Sequence, residues 1–333
     1  MKTKIMNPVL WLALLAILIF FPKMFGLYYT NVFLTFAIFA TYAVAVNVLL
    51  GFTGLLSFGH AMFFGAGGYG TALALKHIDG IPLLPAIGIG FLAAMFLALI
   101  LAPLVSRVSW TAFAMIHMAF GQFFYILALK LRHITGGEDG IGNFPIPDLN
   151  ILGMFSVAIR REPENFYYLA MVLLGISLWL MWFFTKTPFG QIQVGIRDNE
   201  KRIDYLGYRV PQTKAIIYVV SGAFSGLAGC IYGLFHNLVS ADGSLGVMIS
   251  FTPIIASMVG GVGSFFGPIW GTAILHIIEE LTHQFTDRVE LVMGAILILV
   301  VMFAPTGVTG FFTAMKMKWQ AYTASKAKME KTS

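Results

Sequence analysis

The sequence predicts an all-α polytopic membrane protein with about 8–10 membrane helical elements, some of them broken or re-entrant at glycines. Three observations carry that prediction. Of 333 residues, 58% are hydrophobic and only 11% charged, where a soluble domain carries roughly a quarter charged. Apolar runs close to the length that crosses a hydrocarbon core, about 18 residues or more, recur from one end to the other. Together they absorb most of the chain and leave no room for a sizeable soluble domain.

The first run, 8–22, follows a basic end and resembles a signal peptide. It lacks a small-x-small cleavage site, and a second run follows at once, so it reads as a retained span. Runs 27–50, 53–75, 82–105, 110–130, 166–185, 214–235 and 289–304 complete the series. The single cysteine, Cys230, cannot form a disulfide within the chain and reads as a small buried side chain.

The net charge of +6 is placed where membrane topology needs it, not where nucleic acid would. Lys186, Arg197, Lys201, Arg202, Arg209 and Lys214 crowd one connection. Lys316, Lys318, Lys326, Lys328 and Lys331 crowd the tail, and Lys2 and Lys4 open the chain. With segment 186–213 and both termini cytoplasmic, alternation puts Arg107 inside and Lys76 and the loop 131–165 outside. Residues 250–283 must then begin and end outside, as a re-entrant pair turning at GGVGSFFGP or as two short spans. The expected organisation is one permease-like unit: an N-terminal half 1–185, a cytoplasmic segment 186–213, a C-terminal half 214–312 and a basic tail 313–333.

Each half carries a glycine-rich interruption, 51–70 and 260–271. Paired interruptions point to a transport site at a repeat interface. The letters GAGGYG at 65–70 match a dinucleotide fingerprint but lack its preceding strand. Close helix packing accounts for them, as it does for Ser221, Gly222, Ser225, Gly226, Gly229 and Gly233, and for Gly267 and Gly271. More polar chemistry gathers at Asn47, Gly51, Thr53, Gly54, Ser57, Gly59 and His60, and at Gly260, Gly261, Gly263 and Ser264. These residues are candidates to line a substrate path; a satisfied structural polar cluster is the competing reading.

HIIEELTH sets His276, Glu280 and His283 on one helical face, a spacing that suits metal. Its place at a membrane edge reads instead as an end anchor, so no metal site is expected. No phosphate loop or nucleophile elbow is present, so the chain is expected to catalyse nothing and to bind no cofactor. Segment 187–214 alternates Ile192, Val194, Ile196, Ile203, Tyr205 and Leu206 with charges of both signs. A helix over about 197–206, with Asp198 and Glu200 near its N-terminus, suits the helix dipole. The segment is either a solvated loop that fixes topology or a surface helix docked on a partner.

These motifs resemble, in order and over nearly the whole chain, the M-type permease subunits of ABC importers for branched-chain amino acids. The matching stretches are GFTGLLSFGHAMFFGAGGYG, TGGEDGI, PFGQ…IRDNEKRIDYLGY, SGAFSGLAG, GGVGSFFGPIWGTAIL and LVVMFAPTGVTG. The resemblance implies a heterodimeric core with a second permease, two ATPase subunits that use ATP, a periplasmic binding protein and a bacterial inner-membrane location. It assigns Arg197, Asp198, Asn199, Glu200 and Gly207 to the segment that fits an ATPase cleft. Gly136, Gly137, Glu138, Asp139 and Gly140 fall in the external loop, where a binding protein docks or solute enters. Glu138-Asp139 departs from the commoner Ser-Asp or Thr-Asp version, and importers of urea, amides and aromatic acids share these motifs. The alternative class is an ion-coupled transporter or channel, for which His60 and His117 are the well-placed ionisable groups.

Overall fold

The structure, a computed structural model, describes residues 8–108, 110–151, 155–158, 163–283, 291–292, 294–295, 298–299, 302 and 307–310. Most of the expected span 289–304, the basic tail 313–333 and the N-terminal lysines lie outside the described residues. Up to His283 the described helices are α1 (Pro8–Thr53), α2 (Ala61–His77), α3 (Leu83–Val105), α4 (Trp110–Lys130), α5 (Arg132–Thr135), α6 (Pro163–Lys186), α7 (Pro188–Tyr205), α8 (Val210–His236), α9 (Ala241–Leu245), α10 (Val247–Gly260) and α11 (Gly267–His283). Among the described residues, six helical stretches are long and apolar enough to cross a membrane. This is a multi-pass helical membrane protein.

α1 is two helices joined at Gly26, whose φ of 77° breaks the helix. Phe21 and Phe33 would stand about 18 Å apart along a straight helix, yet their ring centroids are 4.8 Å apart. The chain therefore folds back at Gly26, a reversal that a residue without Cβ allows. The two apolar runs 8–22 and 27–50 are separate antiparallel helices, as their sequence predicts.

The core is built where α2 and α8 meet, flanked by α1 and α3. Small residues set the spacing there: Gly67 faces the Gly226 carbonyl, Gly229 the Phe64 carbonyl, and Gly226 the Ala94 methyl. Backbones approach closely because nothing projects between them. Cys230 is buried in this seam, its Sγ donating to the Gly67 carbonyl at 3.3 Å. The outward faces of α3, α4 and α6 carry Phe96, Leu99, Met115, Phe123, Trp179 and Phe183, all exposed and apolar, as lipid or a membrane partner requires.

Two places depart from the expected helices. The run 53–75 is not one span, because the helix stops at Thr53 and resumes at Ala61. Gly54 adopts φ +79° and ends the first helix. The second departure is β structure at one end of the bundle: β1 (Ile141–Gly142) pairs with β4 (Leu238–Val239), and β2 (Leu149–Ile151) with β3 (Phe155–Val157). The β1–β4 pair ties the long loop after α5 to the connection after α8.

α10 and α11 form an antiparallel hairpin. Gly260 packs on the Gly267 carbonyl and Gly271 on the Ala256 carbonyl. At 14 residues, α10 alone is about 21 Å long, and it reaches the ~30 Å core only together with α9, over Ala241–Gly260. The turn 261–266 meets the far end of α1, whereas Glu280 of α11 returns to accept the Tyr28 hydroxyl near α1's reversal. The hairpin thus turns at one end of the bundle and returns toward the other.

Candidate functional site

Residues 54–60 carry polar groups into the protein interior, and a single chain of hydrogen bonds holds them. Ser57, His60, His117 and Ser221 are fully buried, and Tyr218 is 2% exposed. Ala45's carbonyl has no hydrogen, so the Ser221 hydroxyl donates to it at 2.6 Å. Ser221 then accepts from His60 Nε2–H at 2.9 Å. His60 Nδ1 is left as acceptor for the Ser57 hydroxyl at 2.7 Å. Having spent its one hydrogen, Ser57 accepts from His117 Nδ1–H at 2.8 Å. His117 Nε2 finally accepts from Tyr218 at 2.6 Å. The network assigns both tautomers and closes with every ring nitrogen occupied.

That chain stitches α1, the break, α4 and α8 together. Packing reinforces it: a Cβ at Gly59 would fall on the His117 carbonyl, and one at Gly121 would press on Gly59. The start of α2 is satisfied across the bundle, where Ala61 N–H donates to the Ser250 hydroxyl at 3.0 Å.

The remaining predicted path residues gather at the other side of the break. Asn47, fully buried, donates from Nδ2 to the Ser264 carbonyl at 3.0 Å. Gly51 lies on the Gly263 amide. Gly54 lies beneath the Arg197 stem and the Trp110 ring. Gly261 and Gly263 take φ of +116° and +88° in the second break, and Gly260 seats against Gly267. Asn47 Oδ1 and Thr53 Oγ1 are buried there without a hydrogen-bond partner. Thr309 donates to the Gly260 carbonyl at 2.8 Å, and Gly307 packs on Gly261. The two interruptions, more than two hundred residues apart in sequence, therefore touch.

In the polar segment the expected helix 197–206 is divided at Asn199, and helix begins earlier, at Pro188. α7 starts at Pro188, whose fixed φ suits a first turn, and breaks at Asn199 with φ −161° and ψ 98°. Asn199 Oδ1 accepts the Arg202 N–H at 3.0 Å and so caps the short helix that follows. Arg197 turns inward, its Nη1 donating to the Gly51 carbonyl at 2.7 Å, with exposed Asp198 beside it at 3.4 Å. Glu200 pairs with Lys214 at 2.8 Å, the lysine side chain being 3% exposed. What faces out is the turn after α7: Tyr205 is 87% exposed and Leu206 64%, with Gly207 at φ +87° and Tyr208 beyond it.

At the opposite end, Gly136 and Gly140 meet back to back and Gly140 rests on the Val239 carbonyl. Glu138 and Asp139 point to solvent. The Arg132–Glu138 pair at 3.9 Å, well exposed on both sides, is worth about 1 kcal/mol at most. Tyr125 donates to Asp242 at 2.6 Å beside this loop. In HIIEELTH, His276 pairs with Glu279 at 3.4 Å while Glu280 takes Tyr28; the His283 side chain lies outside the described ones. No group of three metal-ligating side chains occurs among the described residues.

The sequence groups Ser221 with the packing residues and does not single out Tyr218 or Trp110. Tyr218 and Ser221 share one face of α8 by their spacing, and that spacing was the available signal.

Residues 28–301 match the family model described as "Branched-chain amino acid transport system / permease component". The chain is 26% identical over 312 residues to the high-affinity branched-chain amino acid transport system permease protein LivM of Escherichia coli strain K12, covering 89% of this chain and 73% of that one. It is 24% identical over 290 residues to LivH of Salmonella typhimurium, covering 82% and 91%. It is 26% identical over 297 residues to a probable LivM of Methanocaldococcus jannaschii, covering 81% and 82%. No solved structure matches the chain. With the family model spanning most of its length and these relatives aligned along it, the chain belongs to the permease-component family of branched-chain amino acid transport systems.

Proposed function

We propose that this chain is one permease of an ATP-driven, binding-protein-dependent importer of branched-chain amino acids in a bacterial inner membrane. Its partners are a second permease, two ATPase subunits that hydrolyse the ATP, and a periplasmic binding protein. The observation that carries the reading is the turn at Tyr205, Leu206 and Tyr208. Three large side chains stand in the open on a segment too charged to enter lipid, which is the composition of a protein-docking surface. The positive charge around it supports a cytoplasmic position, where ATPase subunits would sit, with the 131–158 loop on the far side for the binding protein.

In this reading the membrane chain binds solute weakly and the binding protein selects it. ATP-driven closure of the partners moves the docked segment and switches access between the faces. The ion-coupled alternative would need His60 or His117 to hold an ion, but each ring nitrogen already has a partner.

Gentle detergent purification of the chain from its own membrane, with mass spectrometry of its companions, tests the class. A second permease and nucleotide-binding subunits are expected. The chain recovered alone would defeat the proposal. Reconstituted with those companions, it is expected to take up labelled leucine, isoleucine or valine on ATP addition, and urea or short amides poorly.

A further inference from the structure

We propose that Arg197 is a positioning residue that carries movement of the coupling segment into both helix breaks at once. The proposal rests on the importer reading above. Its geometry begins at the end of α1. In a regular helix the Gly51 carbonyl would accept the N–H of Leu55. Here that N–H turns to Leu49, at 3.3 Å, because the chain leaves the helix at Gly54. The Gly51 carbonyl, at a negative helix end, is left for another donor. Arg197 supplies it at 2.7 Å from within α7.

The same guanidinium lies against Gly263, 3.0 Å from where a Cβ would be, and its stem is equally close to that position at Gly54. One side chain therefore touches the first break, the second break and the coupling segment. Behind it, the buried Asn47 amide links α1 to Ser264, a second tie that the turn must keep or break as it moves. The break at Asn199 lies just beyond Arg197 on α7. A partner pressing on Tyr205 and Leu206 would swing the short helix about Asn199 and load Arg197. A residue that docked directly on the ATPase would instead point outward, as Tyr205 does.

The test uses the full complex, wild type against Arg197→Met, which keeps length but loses every donor, and Arg197→Lys, which keeps one. In the Met variant the partners are expected to assemble, while uptake per ATP falls about tenfold or more, the scale on which one charge-assisted hydrogen bond biases a two-state element. Lys is expected to recover part of the loss. A second readout uses Ser264→Cys, with the native Cys230 buried and shielded from reagent. Its labelling rate is expected to respond to ATP with Arg197 present and to lose that response in the Met background. Unchanged uptake per ATP overturns the proposal, as does loss of assembly, which would make Arg197 a docking or folding residue. A wild-type chain that recruits no ATPase overturns the importer reading, and this proposal with it; an intact wild-type complex beside a fully coupled Met variant overturns this proposal alone.

Discussion

Residues 54–60 and 261–266 both interrupt helices inside the bundle, and both were chosen by glycine, but they are held in different ways. The first is buried and pinned by side chains of α4 and α8 and by the Ala45 carbonyl of α1, through the run from Tyr218 to Ala45. The second turns on two positive-φ glycines and leaves Val262 and Gly263 exposed; two backbone bonds hold it, Gly261 N–H to the Ser257 carbonyl at 2.9 Å and Ser264 N–H to the Gly261 carbonyl at 3.4 Å, and Asn47 reaches it from α1. Five consecutive, fully assigned hydrogen bonds make a post. A glycine turn with few side-chain ties makes something that can move against it. Transport needs both, because a gate requires a fixed edge.

The largest expected effect comes from spoiling the post by volume. Gly59→Leu drives a side chain into the His117 carbonyl, which belongs to the backbone of α4 and cannot rotate away. Overpacking commonly costs about 1–3 kcal/mol, and more where backbone must shift. The expected outcome is loss of folded chain, seen as a collapsed monodisperse peak in detergent. A normal peak with uptake abolished would instead make Gly59 part of the path's lining and break the comparison.

A smaller effect should follow from opening the hydrogen-bond chain without changing its packing. Tyr218→Phe removes one donor and strands the His117 Nε2 lone pair in the interior. An orphaned buried acceptor costs roughly 1–3 kcal/mol. His60→Ala should cost more, since it strands the Ser57 hydroxyl and leaves a cavity as well. Apparent thermal midpoints of the purified variants should rank wild type above Tyr218→Phe above His60→Ala. Equal midpoints would show the chain to be ornamental to stability and free for a role in solute contact.

Much of this is legible in the sequence. Hydrophobic runs located the spans 27–50, 82–105, 110–130, 166–185 and 214–235, because lipid forces such runs on any sequence. The glycines marked both breaks, since few other residues accept those backbone angles. What could not be read was which polar residues would meet. Ser57 and His117 are sixty residues apart, and no local pattern reports such a contact. Arg197 carries the same lesson at closer range. Its charge and its place in a basic segment point to the surface, and only the vacant Gly51 carbonyl turns it inward. The boundary at Asn199 was hidden for another reason. Asn is a poor helix former but an excellent cap, and one residue cannot announce which it will be when charged helix formers lie on both sides.

The smallest effect belongs to the second break. Val262 is 45% exposed and stands at the tip of the turn; a change to Ser removes surface apolar area and strands no partner. Substitutions of that kind generally move stability within about 0.5 kcal/mol. The thermal midpoint of Val262→Ser should therefore coincide with wild type, even though the residue lies beside Gly261 and Gly263. Should it fall as far as Tyr218→Phe, the turn would be as firmly fixed as the post, and the division of labour between the breaks would fail. If it holds, stability is concentrated in one break and freedom in the other. Contacts from α7 such as that of Arg197 would then have a compliant element to act upon.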